Sequence, residues 1–524
     1  MMKISIYDTT LRDGSQGEGI SFSVSDKIRI AHELNKLGVH FVEGGWPGSN
    51  PKDIEFFREI RNHKFETTKI AAFGSTRRSN VLPENDDNLI KLLESETPAV
   101  TMFGKSWTLH VLKILKTTLD ENVKMIYDSI KLMKDNGRLG FYDAEHFFDG
   151  YKDDPKYAIE TLLSAQEAGA DCIILCDTNG GSMPGEIRSI IQAVKQHIST
   201  PLGIHCHNDS GLAVANSLIA VEEGVKQIQG TMNGFGERTG NANLTTIIPN
   251  LKLKYNHDVV TGDQLKLLCE VSQFVDELAN RSHESNAPYV GRSAFAHKGG
   301  MHVNAVQKTP ISFEHIEPEL VGNQRRVLVS ELAGRSNIFL KAKELNIDLQ
   351  QNTPEVKDIL KQLKNLEHQG YEFEAAEGSF ELLVRKTLEK HDNFFDLLGF
   401  RVIVEKRNDE LISEATIKLK VGDKEQYTVS EGHGPVNAMD KALRKALEKF
   451  YPALASVDLV DFKVRVMEGT SGTGARVRVL IQSRANGKYW GTVGVSENII
   501  EACWEALSDS VEYKLLKDEI EARS

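Results

Sequence analysis

From the start of the chain to about residue 235, short β-branched runs alternate with stretches in which apolar residues recur every three or four positions. The alternation predicts strands at Ile4–Asp8, Val39–Glu43, Lys69–Phe73, Ala99–Phe103, Leu139–Glu145, Cys172–Asp177, Leu202–His207 and Gln227–Thr231, with helices between them. Eight βα units in about 250 residues point to an α/β fold of the closed (β/α)8 TIM barrel type rather than a doubly wound sheet. Past about residue 236 the pattern turns helical and loop-rich, with a strongly polar stretch near 346–365 that reads as an arm leaving the barrel. From about residue 395 it changes again. Strands Arg401–Glu405, Ala415–Val421 and Tyr427–Ser430 precede a helix at Val436–Phe450. Strands Phe462–Met467, Arg476–Ser483 and Trp490–Val495 precede a helix at Ile499–Val511. One βββα plan thus occurs twice, at a spacing of roughly 60 residues. The expected organisation is a catalytic barrel over 1–275, helical linker and arm subdomains over 276–390, and a duplicated βββα regulatory domain over 391–524. The last carries no cluster of catalytic residue types, so binding, dimerisation or regulation is its expected work.

Composition narrows the class. Of 524 residues 40% are hydrophobic and 26% charged, the balance of a folded soluble enzyme and not of a disordered or membrane chain. Lys plus Arg number 63 against 75 Asp plus Glu, a net charge of −12, so nucleic acid and anionic lipid are poor partners. No apolar run approaches the ~18 residues of a membrane span. The opening residues enter a strand directly, without the apolar stretch of a secretion signal. The 5 cysteines are an odd set, and Cys172, Cys176 and Cys206 fall within strand-like runs, which predicts reduced thiols and a cytoplasmic location.

The polar residues that can do chemistry gather at strand C-termini, which in a barrel converge on one mouth. Asp8, Arg12, Asp13, Glu43, Glu145, Asp177, Thr178, His205, His207, Asn233 and Glu237 all lie there. His205 and His207 are two apart on a strand, so both imidazoles face the same way. With Asp13 from the first strand they form a three-ligand set that leaves positions open for water and a chelating substrate, suited to Mg²⁺, Mn²⁺ or Zn²⁺. Arg12 places a permanent cation beside that set, fit to stabilise an enolate or oxyanion. Glu145 is the candidate acid/base or orienting carboxylate. Thr178 can donate to a substrate carboxylate, and Phe73 and Ser75 are candidates for the pocket wall. The glycines at 234, 236 and 240 suggest a dinucleotide fingerprint, but the last spacing is one residue too long and no helical run follows at once, so NAD is rejected. Asn241, just beyond, brings an amide within reach of the metal directly or through water.

Three segments, from Asp8-Thr9-Thr10-Leu11-Arg12-Asp13 to Gln16, His205-Cys206-His207-Asn208-Asp209, and 234–242, resemble the isopropylmalate, homocitrate and citramalate synthase family. Within it, the segments 43–52, 74–78 and 143–151 are most similar to the citramalate-forming members, and the resemblance covers nearly the whole chain. Phe295-Ala296-His297-Lys298-Gly299-Gly300-Met301-His302 is similar to the arm that in this family crosses into a partner subunit's active site. Gly434-Pro435-Val436-Asn437-Ala438 and 491–496 resemble its effector-binding domain. The resemblance implies condensation of acetyl-CoA with pyruvate and thioester hydrolysis to (R)-citramalate and CoA, on a route to isoleucine. It further implies a homodimer and isoleucine as effector. Carried onto this sequence, it makes Asp13, His205 and His207 metal ligands with Asn241 close by, gives Arg12 the oxyanion and Glu145 the acid/base step, and assigns Gln16 and Thr178 to substrate binding. His302 becomes a candidate for deprotonating acetyl-CoA or activating the hydrolytic water. One departure stands out: Phe313 occupies a position where relatives carry Tyr. The competing expectations are a sister isopropylmalate or homocitrate synthase, an acyl-CoA lyase on the same barrel, and a metal-dependent sensor without catalysis.

Overall fold

The computed structural model describes residues 2–523 apart from 329–334, 346, 348, 350–352, 389–392 and 468–474. The chain divides into two compact units, the first comprising 1–295 and 316–325, the second 296–315 and 326–524.

Eight parallel strands close the first unit into a barrel in simple sequential order: β1 (Ser5–Asp8), β2 (Phe41–Gly45), β3 (Lys69–Ser75), β4 (Ala99–Lys105), β5 (Leu139–Glu145), β6 (Cys172–Asp177), β7 (Leu202–Cys206) and β8 (Gln227–Gly230). Closure is made by β1 pairing with β8, Ser5 opposite Gln227 and Asp8 opposite Gly230. The strand period of two sorts side chains between two layers. Tyr7, Ala71, Ala99, Phe141, Cys172 and Ile174 pack together inside the barrel. Their neighbours Ile6, Ala72, Val100, Tyr142 and Ile173 join the larger apolar layer outside, where the helices cover the strands. The first of those helices, Val24–Leu37, shows the local logic. Ser23 and Asp26 form a capping box at its start, and Gly38 ends it at φ 85°, a left-handed position that favours glycine.

The predicted barrel strands agree with the observed ones to within two residues at each end, whereas in the second unit the strands Asp396–Arg407, Glu410–Val421 and Asp458–Val466 start four or five residues before their predicted positions. β2, β3 and β4 run two residues further toward the mouth than their apolar runs indicate, because the ladder continues to Gly45, Ser75 and Lys105 after the apolar side chains have stopped. No helix among the described residues is long and apolar enough to cross a membrane.

The second unit contains helices Gly300–Lys308, Arg335–Glu344, Pro354–His368 and Glu377–Thr387. Two antiparallel three-stranded sheets follow, β9 (Asp396–Arg407), β10 (Glu410–Val421) and β11 (Lys424–Gly432), then β12 (Asp458–Val466), β13 (Val477–Ala485) and β14 (Lys488–Ser496). Helix Pro435–Leu447 packs on the first sheet and Ile499–Arg523 on the second, the twofold βββα plan expected. The last helix runs twelve residues past the predicted end at Val511, to Arg523. It does so because its polar side chains are occupied by the neighbouring helix Glu377–Thr387: Glu512 pairs with Lys386, Lys517 with Glu381, and Asp509 accepts from Ser379. The expected boundary near 390 lies outside the described residues. The helices before it share an apolar cluster with Val493 and Val495 of β14.

Candidate active site

At the end of β1 the Asp8 carboxylate accepts from the backbone N–H and the hydroxyl of Thr10, at 2.9 and 2.8 Å. This side-chain turn carries the chain across the barrel mouth so that Arg12 and Asp13 hang over it. Arg12 Nε donates to Glu43 Oε1 at 2.6 Å, and its Nη1 lies 3.5 Å from Asp13 Oδ1. The guanidinium sits 3.7 Å over the Phe73 ring. Glu43 also accepts from the buried Tyr7 hydroxyl at 2.7 Å, so the cation is fixed from below.

Asp13 is the hub. Its Oδ2 stands 3.3 Å from His205 Nε2 and 4.0 Å from His207 Nε2, and it accepts from Asn241 Nδ2 at 2.7 Å. One ligand atom from each of Asp13, His205 and His207 falls within 4.8 Å of the others, and all three residues are buried. The spacing of two brings both imidazoles together although β7 ends at Cys206, because His207 continues the pairing as an isolated bridge to Asn241. The loop that carries Asn241 depends on glycine: Gly236 (φ 153°) and Gly240 (φ 88°) are left-handed, and a Cβ on Gly240 would meet the Gly234 carbonyl. These glycines shape a tight turn ahead of helix Leu244–Pro249, which Asn243 caps, so a helix follows the loop more closely than the sequence pattern indicates.

The electrostatics separate the three groups. Burial alone would raise the Asp13 carboxyl, but Arg12 and then the two imidazoles hold it far below the usual carboxylate range. Burial alone would lower His205, yet the bond and charge of Asp13 raise it. His207 is pushed down to about 4 by burial and by His205, which keeps its imidazole neutral. The set fits a divalent ion: an ionised carboxylate, imidazole nitrogens, and Asn241 Oδ1, which is buried with no hydrogen-bond partner.

A cavity of about 240 Å³ opens beside this cluster. Arg12, Asp13, Gln16, Phe73, Glu145, Thr178, His205 and His207 line it. Ser75 is not in its lining; its carbonyl instead accepts from Asn88 at 2.7 Å. Thr178 Oγ1 accepts from the backbone of His146 at 2.9 Å, which binds β6 to β5 at the mouth. His302 belongs to the second unit, on helix Gly300–Lys308, where its ring stacks on Phe313 at 4.2 Å. Tyr would offer the same stacking face there.

Several residues of the site were given no role from the sequence. Trp46 and Phe103 complete an aromatic wall with Phe73, whose ring stacks on Phe103 at 5.3 Å. Arg238 donates to His207 Nδ1 at 3.1 Å while gripping Asp209. Gln229 Oε1 lies 2.8 Å from His205 Nδ1, and its amide donates to Asp143 at 2.9 Å. The signal for Gln229 was present: Gln227 and Gln229 are two apart in a short strand, which turns two amides to the same side.

Residues 3–275 match the HMGL-like family model, 289–371 the homocitrate synthase post-HMGL domain-like model, and 374–515 the LeuA allosteric (dimerisation) domain. An (R)-citramalate synthase of Geobacter sulfurreducens is 58% identical, with 99% of each chain covered. One from Aquifex aeolicus is 53% identical, also over 99% of both chains. The chain belongs to the (R)-citramalate synthase family. A 2-isopropylmalate synthase of Methanocaldococcus jannaschii is more distant, at 32% identity over 99% of this chain and 96% of that one. As a member of the citramalate synthase family the chain is an enzyme, an acyltransferase. The family's HMGL-like barrel and the cluster of Asp13, His205 and His207 together point to a divalent metal.

Proposed function

We propose that this chain condenses acetyl-CoA with pyruvate and hydrolyses the resulting thioester, giving (R)-citramalate and CoA, as a committed step toward isoleucine. The observation that carries the reading is the convergence of Asp13, His205 and His207 within 4.8 Å, beside a half-buried Arg12, at the mouth of a citramalate synthase family barrel. Asp13, His205, His207 and Asn241 would hold Mg²⁺, Mn²⁺ or Zn²⁺, and such an ion supplies Lewis acidity to a chelated 2-oxo acid. Arg12, immobilised by Glu43 and Phe73, presents a cation that cannot deprotonate to the oxygen on which negative charge develops. Thr178 and Gln16 face the same cavity and orient the oxo acid. Trp46, Phe73 and Phe103 wall it with rings, which favours the methyl of pyruvate over a branched side chain. Glu145, lining the cavity from the end of β5, serves the acid/base step at its carboxylate oxygens.

The match of 374–515 to a dimerisation domain supports a homodimer, in which His302 of the partner subunit deprotonates the acetyl methyl or activates water. The same match supports allosteric regulation, and isoleucine, the end product of the proposed route, is the proposed feedback ligand. All five cysteines are buried free thiols, which supports a cytoplasmic location. Release of CoA from acetyl-CoA with a panel of 2-oxo acids tests the function. Pyruvate should be preferred; preference for 2-oxoisovalerate or 2-oxoglutarate would make this a sister synthase, and release with none would refute synthesis.

A further inference from the structure

Glu145 is not alone at the end of its strand. Lys105 ends β4 directly opposite it in the register of the two strands, and its Nζ forms an ion pair with Glu145 Oε2. The ammonium lies 5.3 Å over the Phe103 ring. Phe103 stacks on Phe73, and Phe73 carries Arg12. Two cations therefore flank one aromatic pair, Arg12 beside the metal ligands and Lys105 beside Glu145. The seat of Lys105 is built, not incidental. Its carbonyl accepts from Asn122 Nδ2 at 2.8 Å, and only 15% of its side chain is exposed. The neighbouring charged groups are engaged elsewhere: Asp149 accepts from Asn179 at 2.8 Å and faces His146, which meets His110 edge to face.

We propose that Lys105 is a positioning residue for Glu145, clamping its carboxylate from the adjacent strand so that one oxygen is held and the other faces the cavity. A glutamate has three side-chain torsions, and the strand backbone restricts only the first. The next residue, His146, is locked in the left-handed region at φ 54° with its N–H on Thr178, which secures the chain but not the carboxylate. Freed of Lys105, Glu145 would sample rotamers away from the reacting atoms. Misplacement by about 1 Å can cost 10²-fold in rate. An exposed ion pair would carry no such consequence.

The inference rests on the synthase reading, and one experiment separates the two. Full-length wild-type, Lys105→Met and Lys105→Arg enzymes are assayed for CoA release with divalent metal and acetyl-CoA. The wild-type rate with pyruvate reads the synthase assignment; the ratio of variant to wild type, with whichever 2-oxo acid is accepted, reads Lys105. The expected result is a kcat lowered 10- to 100-fold in Lys105→Met with KM for the oxo acid within about threefold, and recovery of at least a third of kcat in Lys105→Arg. Lys105→Gln replaces Lys105→Met if the latter does not yield folded protein. A kcat within twofold of wild type, a change confined to KM, or a loss that Arg does not recover would each overturn the proposal.

Discussion

Replacing Gln229 with Leu should weaken metal binding and loosen the barrel together, because this amide orients a metal ligand it never shares. Gln229 is fully buried between His205 Nδ1, at 2.8 Å, and Asp143 Oδ1, at 2.9 Å. Its carbonyl takes the Nδ1 proton, which leaves Nε2 of His205 turned toward Asp13. Leu fills similar space but offers neither bond. The two groups left behind are also buried, and burial already pushes the Asp143 carboxyl up to about 7. Each buried partner left unpaired costs about 1–3 kcal/mol, so the pair costs about 2–6 kcal/mol of stability. For a unit of this size that lowers Tm by roughly 2–4 °C per kcal/mol. Loss of such an orienting contact typically weakens metal affinity by about 10- to 100-fold. Chelator competition with Mn²⁺ measures the affinity, and thermal unfolding with and without metal measures the stability. Gln229→Leu binding Mn²⁺ within twofold of wild type would refute the orienting role, whatever happened to Tm.

His207→Ala should abolish CoA release and metal binding while the far-ultraviolet circular dichroism of the barrel is retained; near-normal turnover after stripping and re-adding metal would remove it from the ligand set. Glu145→Gln should lower kcat by about 10²- to 10⁴-fold with little effect on the pyruvate KM, and a change confined to KM would make it a binding residue. Asp8 is fully buried, and burial raises its carboxyl to about 7. A raised carboxyl holds its proton more tightly when folded, so its contribution is fully present below the unfolded value near 3.8 and is lost as pH rises through about 7. The loss reaches roughly 4 kcal/mol. Asp8→Asn should therefore gain in Tm relative to wild type between pH 5 and pH 8, and parallel curves would contradict the assignment. Isoleucine should raise the apparent KM of a substrate by about 5- to 150-fold, the usual range of coupling between two sites, while leucine and valine do less; indifference to all three would remove the feedback reading.

The barrel was legible because each strand carries its own periodic signal, and the end of each strand marks where it turns polar. Asp13, His205 and His207 could be grouped on that ground alone, since a closed barrel brings the first and seventh strands to one mouth. What the sequence did not reveal are contacts made across strands. Lys105 and Glu145 are forty positions apart, and only the β4–β5 register sets them side by side. Gln229 meets Asp143 across the barrel interior, a distance no local pattern encodes. Ser75, whose position at the end of β3 suggested the pocket, is not among the residues lining the cavity, where Phe73 holds the wall. The length of the last helix was hidden for a related reason, since Glu512 and Lys514 look like solvent-facing residues until their partners are known.

Those buried ion pairs bear on how the second unit comes apart. Helix Gly300–Lys308, which carries His302, packs on Arg335–Glu344; that helix packs on Pro354–His368, which packs on Glu377–Thr387, and this in turn on Ile499–Arg523. Polar bonds pin the series, from Asn337 on the Lys298 carbonyl, through Lys298 with Glu374 and Tyr371 with Glu505, to Ser379 with Asp509. These contacts link the described helices of the series one to the next. Amide protons on the helix of His302 should therefore be released to solvent in the same opening event as those of the C-terminal helix, as one foldon. A ligand that stiffens β12–β14 would slow exchange on the arm without touching it.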